Sequence, residues 1–160
     1  MNRFHQLVQF TLDEQRYALP LSALERIVRS VEITPLPKAP EIILGVINVH
    51  GNIIPVVNMR RRFKVREKEL DIRDQMIIAG TKRRRVAFPL DAAIGVLEYP
   101  EERIVKAEQI TPRLEYLHGV AKLDDGLLLI HDLDTFLSLE EHRTLDDALQ
   151  QSTDQATLQP

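Results

Sequence analysis

The sequence predicts a mainly β protein built from two related small subdomains, and three observations carry that prediction. The phrase RYALPL at Arg16–Leu21 is written again as RVAFPL at Arg85–Leu90. Other features return in the same order: Ile33-Thr34-Pro35 as Ile110-Thr111-Pro112, Gly45-Val46 as Gly119-Val120, Gly51 as Gly126, Asn58-Met59 as Asp132-Leu133, and Phe63 as Leu137, at offsets of 77, 74, 75, 74 and 74. Self-similarity at a fixed offset marks architecture, and two copies are too few for a solenoid. Short apolar stretches punctuated by turn residues recur at the spacing of a barrel or sandwich, with helix the exception. A chain of 160 residues with 44% apolar residues holds one ordinary domain with a real core. Either half alone, at roughly 60 to 70 residues, is marginal as an independent fold. No Gly/Ser- or Pro-rich spacer divides the halves, so they are expected to share a core.

Taken in order, Leu7–Leu12 alternates, Asp13-Glu14-Gln15 gives a polar turn and Tyr17-Ala18-Leu19 returns, which reads as a hairpin. Ser22 and Glu25 have capping-box spacing, so a short helical turn precedes a strand that resumes by Ile27. The stretch Thr34–Pro40 carries Pro35, Pro37 and Pro40, which neither propagate a helix nor sit inside a sheet, and predicts an ordered loop. Leu44–Val49, the turn His50-Gly51-Asn52 and Ile53–Val57 form a second hairpin, with Gly51 where positive φ is easiest. Gly119–Leu123, Asp124-Asp125-Gly126 and Leu127–Ile130 repeat it. Pro20 and Pro89, lacking a backbone donor, mark a strand end or edge in each subdomain. Ser138 and Glu141 form another capping box, and Leu145, Ala148 and Leu149 share a helical face, predicting a helix to about Gln151 and a frayed tail after it.

The residues give enzyme activity no positive support. Without cysteine there is no disulfide, thiol nucleophile or thiolate metal site, and this composition fits a reducing compartment. The start MNRFHQLVQF has no signal-peptide core, and no apolar run approaches the 18 or so residues of a membrane span, so a soluble cytoplasmic protein is expected. Five histidines, at 5, 50, 118, 131 and 142, lack the spacing of a zinc pair on a helix. His131-Asp132-Leu133-Asp134 comes nearest to an acid–base or metal group, but the repeat aligns Asp132 with Asn58, which makes it a strand-terminating turn. No Gly-rich phosphate loop or G-x-S-x-G elbow occurs. No catalytic residue, cofactor or metal is therefore expected.

Charge raises nucleic acid as an alternative partner. Net charge is −3, yet residues 60–85 hold 11 Lys/Arg against 4 Asp/Glu, residues 86–160 hold 5 against 15, and the first 59 residues hold 5 against 5. Arg60-Arg61-Arg62 and Lys82-Arg83-Arg84-Arg85 have the composition of a phosphate-tracking surface. The chain has no Trp and only 5% aromatic residues, leaving few stacking platforms for single strands. Solvated hairpins, or steering towards an acidic protein, fit the run better, and no nucleic-acid partner is expected.

The run ITPLPKAPEIILGVINVHGNIIPVVNMRRRF, with VAFPLDAAIGVLEY and LEYLHGVAKLDDGLLLIHDLDTFL, resembles the CheW family over roughly Phe4 to Leu139. The resemblance implies two intertwined five-stranded β-barrels with a shared apolar groove. One barrel is expected over about 13–80, the other over about 81–137 plus the N-terminal strand, with a helix and tail over 140–160. It implies a non-enzymatic adaptor that joins the cytoplasmic tips of chemoreceptors to the regulatory domain of a CheA-type histidine kinase in bacterial chemotaxis. Adaptors of other receptor–kinase arrays, such as those controlling pili or development, share this pattern. By position, the resemblance implies interaction surfaces at Leu24–Ile33, Gly45–Gly51, Asn58–Arg60, Ala93 and Gly119, hence candidates Leu24, Arg26, Ile33, Gly45, Asn48, His50, Gly51, Asn58, Arg60, Ala93 and Gly119. Gly45, Gly51 and Gly119 equally suit turns or packing, and Leu24, Ile33 and Ala93 equally suit the core. This chain has Asn48-Val49-His50-Gly51 where many members read N-x-R-G, Arg26 where many have an acid, and Asn58-Met59-Arg60 where many read D-L-R. The first two positions usually hold an acid and an arginine close together.

Overall fold

A computed structural model describes residues 3–29, 31–69, 73–109 and 116–158. Eleven strands and two helices follow in chain order: β1 Phe4–Leu12, β2 Gln15–Pro20, β3 Leu24–Arg29, β4 Ile43–Val49, β5 Asn52–Val57, α1 Met59–Arg62, β6 Gln75–Gly80, β7 Arg85–Leu90, β8 Ala92–Pro100, β9 Ile104–Lys106, β10 Leu117–Leu123, β11 Gly126–His131 and α2 Leu139–Leu158. They form a five-stranded sheet of order β3-β6-β7-β5-β4 and a six-stranded sheet of order β8-β1-β2-β11-β10-β9.

The two copies of the repeat exchange their first hairpins. β1 and β2, from the first copy, sit in the sheet of the second copy's β8–β11, and β6 and β7, from the second, sit with the first copy's β3–β5. The expected barrel boundaries near 13 and 80 are therefore corrected: β2 belongs with the N-terminal strand and β7 with the first barrel. The second sheet also has six strands, its sixth being the three-residue β9. Each exchanged hairpin is fastened by a parallel pairing, Ala18 opposite Ile130 and Ala87 opposite Val56.

That pairing explains the repeated phrase. Strand alternation sends side chains i and i+2 to one face, so Tyr17 and Leu19, like Val86 and Phe88, enter the apolar cluster shared by both sheets. Ala18 instead joins the interior cluster of the six-stranded sheet, and Ala87 that of the five-stranded sheet. Both alanines are fully buried. Separating the halves would expose the shared face.

Each sheet closes through the chain that follows its first edge strand. After β3, Thr34 forms an isolated bridge with Val46 of β4, the other edge. After β8 and a 3-10 turn, β9 pairs with β10 in the same way. A Cβ placed on Gly45 would lie 2.3 Å from the Thr34 carbonyl oxygen, and one on Gly119 would lie 2.8 Å from that of Val105. Ile104-Val105 thus takes the place that Ile33-Thr34 holds in the first copy. This corrects the alignment of Ile33-Thr34-Pro35 with residues 110–112, which lie outside the described residues.

Other local expectations divide by chemistry. The turn Asp13-Glu14 joins β1 to β2 with φ of 51° and 68°, and His50-Gly51 joins β4 to β5 with 52° and 84°. Ser138 and Glu141 form their capping box, with Ser138 N–H to Glu141 Oε1 at 2.8 Å and Glu141 N–H to Ser138 Oγ at 3.0 Å. Leu145 and Ala148 are buried, and α2 runs on through Leu158, past the expected end near Gln151. The box at Ser22 does not form. A 3-10 turn at Leu21–Ala23 has no side-chain cap, the strand starts earlier, at Leu24, and Glu25 bonds Arg85 at 3.0 Å.

Candidate functional site: the seam between the sheets

Strands β3 and β8 leave one sheet's hairpin and enter the other sheet, and their registers repeat at an offset of 69. Arg29 faces Gln75 and Ile27 faces Ile77 on β6, while Glu98 faces Gln6 and Val96 faces Val8 on β1. Each strand skips one residue at its bulge, Glu25 and Ile94. Ile77 and Val8 belong to the shared core, so Ile27 and Val96 face the same layer, yet they are 36% and 52% exposed. Ile94, the bulge residue of β8, is 51% exposed. Gln75 joins the arms, since its Oε1 accepts from Ala93 N–H at 3.2 Å. An apolar seam thus remains uncovered where the two sheets meet.

Several candidates line or support this seam. Leu24 and Ala93 are half-buried against the shared core at the roots of β3 and β8, and Ile33 packs on the interior of the five-stranded sheet. Arg26 is exposed on β3. Gly45 and Gly119 are buried beneath the closing segments and act through close packing. Asn48 accepts from Gly51 N–H at 2.9 Å, so Asn48, His50 and Gly51 form one exposed turn. Among the described residues no hydrogen bond or ion pair joins Arg26 to His50.

Asn58 and Arg60 belong to a separate polar cluster. Asn58 caps α1 by accepting from Arg61 N–H at 3.1 Å and donates to Glu67 at 2.9 Å. Its backbone N–H donates to Ile42 O at 2.7 Å, as Asp132 N–H does to Tyr116 O at 2.8 Å in the second copy. Arg60 pairs with Asp91, which also receives Lys68 at 3.2 Å and Asp13 N–H at 2.7 Å. Burial alone would raise the Asp91 pKa, but the Asp13 N–H, Arg60 and Lys68 hold it below the ordinary carboxylate value. A cleft of about 520 Å³ lies here, bordered by Leu44, Arg60, Lys68, Asp74 and Asp91 among others. Sequence reasoning missed Asp91. Its signal is its place directly after the repeated phrase, where the first copy has Ser22.

The basic run is largely neutralised within the molecule. Arg61 meets Glu67 at 3.0 Å, Arg62 meets Glu141 at 2.6 Å and Tyr116 Oη at 3.1 Å, Arg84 pairs with Asp146, and Arg85 meets Glu25 at 3.0 Å. Burial would lower the Arg62 pKa, but Tyr116 and Glu141 raise it above the ordinary value. These pairs fasten α1 and the β6–β7 turn to α2 and β3. The nucleic-acid alternative loses its footing, because cations already holding carboxylates are not a free phosphate track.

His131-Asp132-Leu133-Asp134 also has a structural use. The His131 ring is buried, stacked on Phe63 at 4.0 Å, with Nδ1 at 3.2 Å from Tyr116 O. Burial pushes its pKa down to about 4 against a smaller opposing effect of the Tyr116 carbonyl. Asp132 accepts from Asp134 N–H at 3.1 Å and Asp134 from Lys82 N–H at 2.7 Å, so both carboxylates cap turns.

A duplicated, strand-exchanged β fold with an open apolar seam defines a class of binding protein. The CheW-like domain family matches residues 6–141. The chain belongs to that family. It is 27% identical over 146 residues to the chemotaxis protein CheW of Treponema pallidum (strain Nichols), covering 88% of this chain and 86% of that protein. Identity to the chemotaxis protein CheW of Thermotoga maritima is 30% over 132 residues, covering 82% and 87%. The crystal structure of the scaffolding protein TtCheW from Thermoanaerobacter tengcongensis superimposes with a TM-score of 0.77 at 28% identity, covering 87% of this chain and 96% of that one.

Proposed function

We propose that the protein is a chemotaxis coupling adaptor that binds a receptor's cytoplasmic tip and the regulatory domain of a CheA-type kinase at once, without turnover of its own. Family membership over residues 6–141 supports the class. The observation that carries the mechanism is the seam: Ile27 and Val96 are exposed, although their cross-strand partners Ile77 and Val8 belong to the core that the two sheets share. Exposed apolar residues rimmed by charge suit protein docking. Signal passes if the receptor's states differ in affinity for the adaptor or its kinase complex, since only differential affinity shifts an equilibrium. No helix among the described residues is long and apolar enough to cross a membrane, and the adaptor reaches the membrane-associated array from the cytoplasm through its receptor.

Calorimetry and co-sedimentation test this with the purified full chain, the kinase regulatory domain and a receptor tip hairpin from the same genome. Pairwise complexes and a three-way complex are expected. Failure to bind every such kinase and receptor would overturn the reading.

A further inference from the structure

We propose that Arg29 and Glu98 fix the direction in which an elongated helical partner lies along the seam, drawing its acidic end to Arg29 and its basic end to Glu98. This rests on the adaptor reading, with a receptor tip as the occupant. The seam's apolar lining is pseudo-symmetric: Ile27 and Val96 occupy equivalent positions, as do Leu24 and Ala93. A rod held by this lining alone fits equally well in either direction. Charge breaks the equivalence, because Arg29 on β3 corresponds to Glu98 on β8. Among the described residues Arg29 forms no ion pair, and the Glu98 side chain hydrogen-bonds the neutral Gln6 amide at 3.4 Å. Glu25, the nearest acid on β3, is held by Arg85.

The two charges stand at opposite ends of the seam. Gln75 faces Arg29 and bonds Ala93, which brings the end of β3 to the start of β8. Glu98 lies five residues further along β8, or about 16 Å at the rise of a strand. Along an α-helix that distance spans about 11 residues, close to three full turns, so a matching acid and base share one helix face. Cross-interface charge pairing of this kind sets register and excludes the wrong alignment more than it adds affinity.

The chain has no cysteine, so Val31→Cys near Arg29 and Glu102→Cys beyond Glu98 each take a single fluorophore. The probe is a receptor tip hairpin with a nitroxide quencher at the acidic end of its docking face. Quenching is expected at position 31 and not at 102. Either Arg29→Glu or Glu98→Arg lowers affinity by about 3- to 10-fold at low salt, and the double swap moves quenching to position 102. An unchanged pattern in the double swap, or equal quenching of both sites in the wild type, overturns the inference. If Ile27→Asp abolishes binding while the charge variants do nothing, this inference falls and the adaptor reading stands. If the wild type binds no tip and no kinase domain, both fall.

Discussion

Gly45→Ala separates a packing role from a contact role at a candidate binding position. The Cβ would meet the Thr34 carbonyl oxygen at 2.3 Å and Ile33 Cγ2 at 2.8 Å, and the backbone φ of +151° disfavours any side chain. Holding a non-glycine residue there costs about 1–3 kcal/mol. The obstructing atoms belong to the bridge that closes the sheet, Thr34 N–H to Val46 O at 2.9 Å and Val46 N–H to Thr34 O at 2.8 Å. Relieving the clash by opening this bridge forfeits two hydrogen bonds at about 0.5–1.5 kcal/mol each. The expected loss is about 2–6 kcal/mol, a large share of the 5–15 kcal/mol that typically holds a domain. Urea unfolding with matched m-values measures it, with two comparisons. Gly119→Ala meets Val105 O at 2.8 Å without a left-handed φ and should cost less, about 1–3 kcal/mol. Gly51→Ala meets nothing within 4 Å and carries only the strain of φ +84°, about 1 kcal/mol. A loss below about 1 kcal/mol for Gly45→Ala, or a reversed order among the three, would refute the closure argument.

Three further outcomes are expected. Glu14→Gly should stabilise by about 0.5–1 kcal/mol in thermal or urea unfolding, because Glu14 occupies φ 68° in a two-residue hairpin turn; a loss would contradict the turn geometry. His131 is neutral in the fold, with its pKa depressed to about 4 from 6.5. Below pH 6.5 the unfolded chain binds a proton that the folded chain refuses, so stability falls by up to about 1.4 kcal/mol per pH unit down to about pH 4. His131→Phe should flatten that slope in urea titrations between pH 4 and 6.5, and an unchanged slope would assign it elsewhere. Arg26→Glu with His50→Arg puts an acid and an arginine where the family usually has them close together, so a double-mutant cycle in the free protein should show coupling above about 0.5 kcal/mol; additivity would show that the two positions do not meet.

The fold was legible where local chemistry and periodicity agree, and less so where tertiary pairing decides. The three hairpins with two-residue turns, the Ser138 capping box and the apolar face of α2 are local patterns, and each stands where expected. The Ser22 box failed because the three-residue 3-10 turn Leu21–Ala23 gives way to β3 at Leu24, and Glu25 gains a partner in Arg85 from another strand. No local pattern assigns a hairpin to its own copy or to the other, and that choice set the barrel boundaries. Nor does a run of arginines reveal its carboxylates, which arrive from residues as distant as Glu141 and Asp146. Of the candidate residues, Gly45, Gly119 and Ile33 stand in packing positions, Leu24 and Ala93 lie against the shared core, and Arg26 is exposed on β3. Duplication accounts for this division. Residues that must repeat in both copies, such as Gly45 and Gly119 or Ala18 and Ala87, serve closure and packing. Positions that differ between the copies break the symmetry: Arg29 against Glu98 on the seam, and Asp91, which pairs with Arg60, against Ser22. In a pseudo-symmetric adaptor, the departures from symmetry are therefore where partner choice has room to be written.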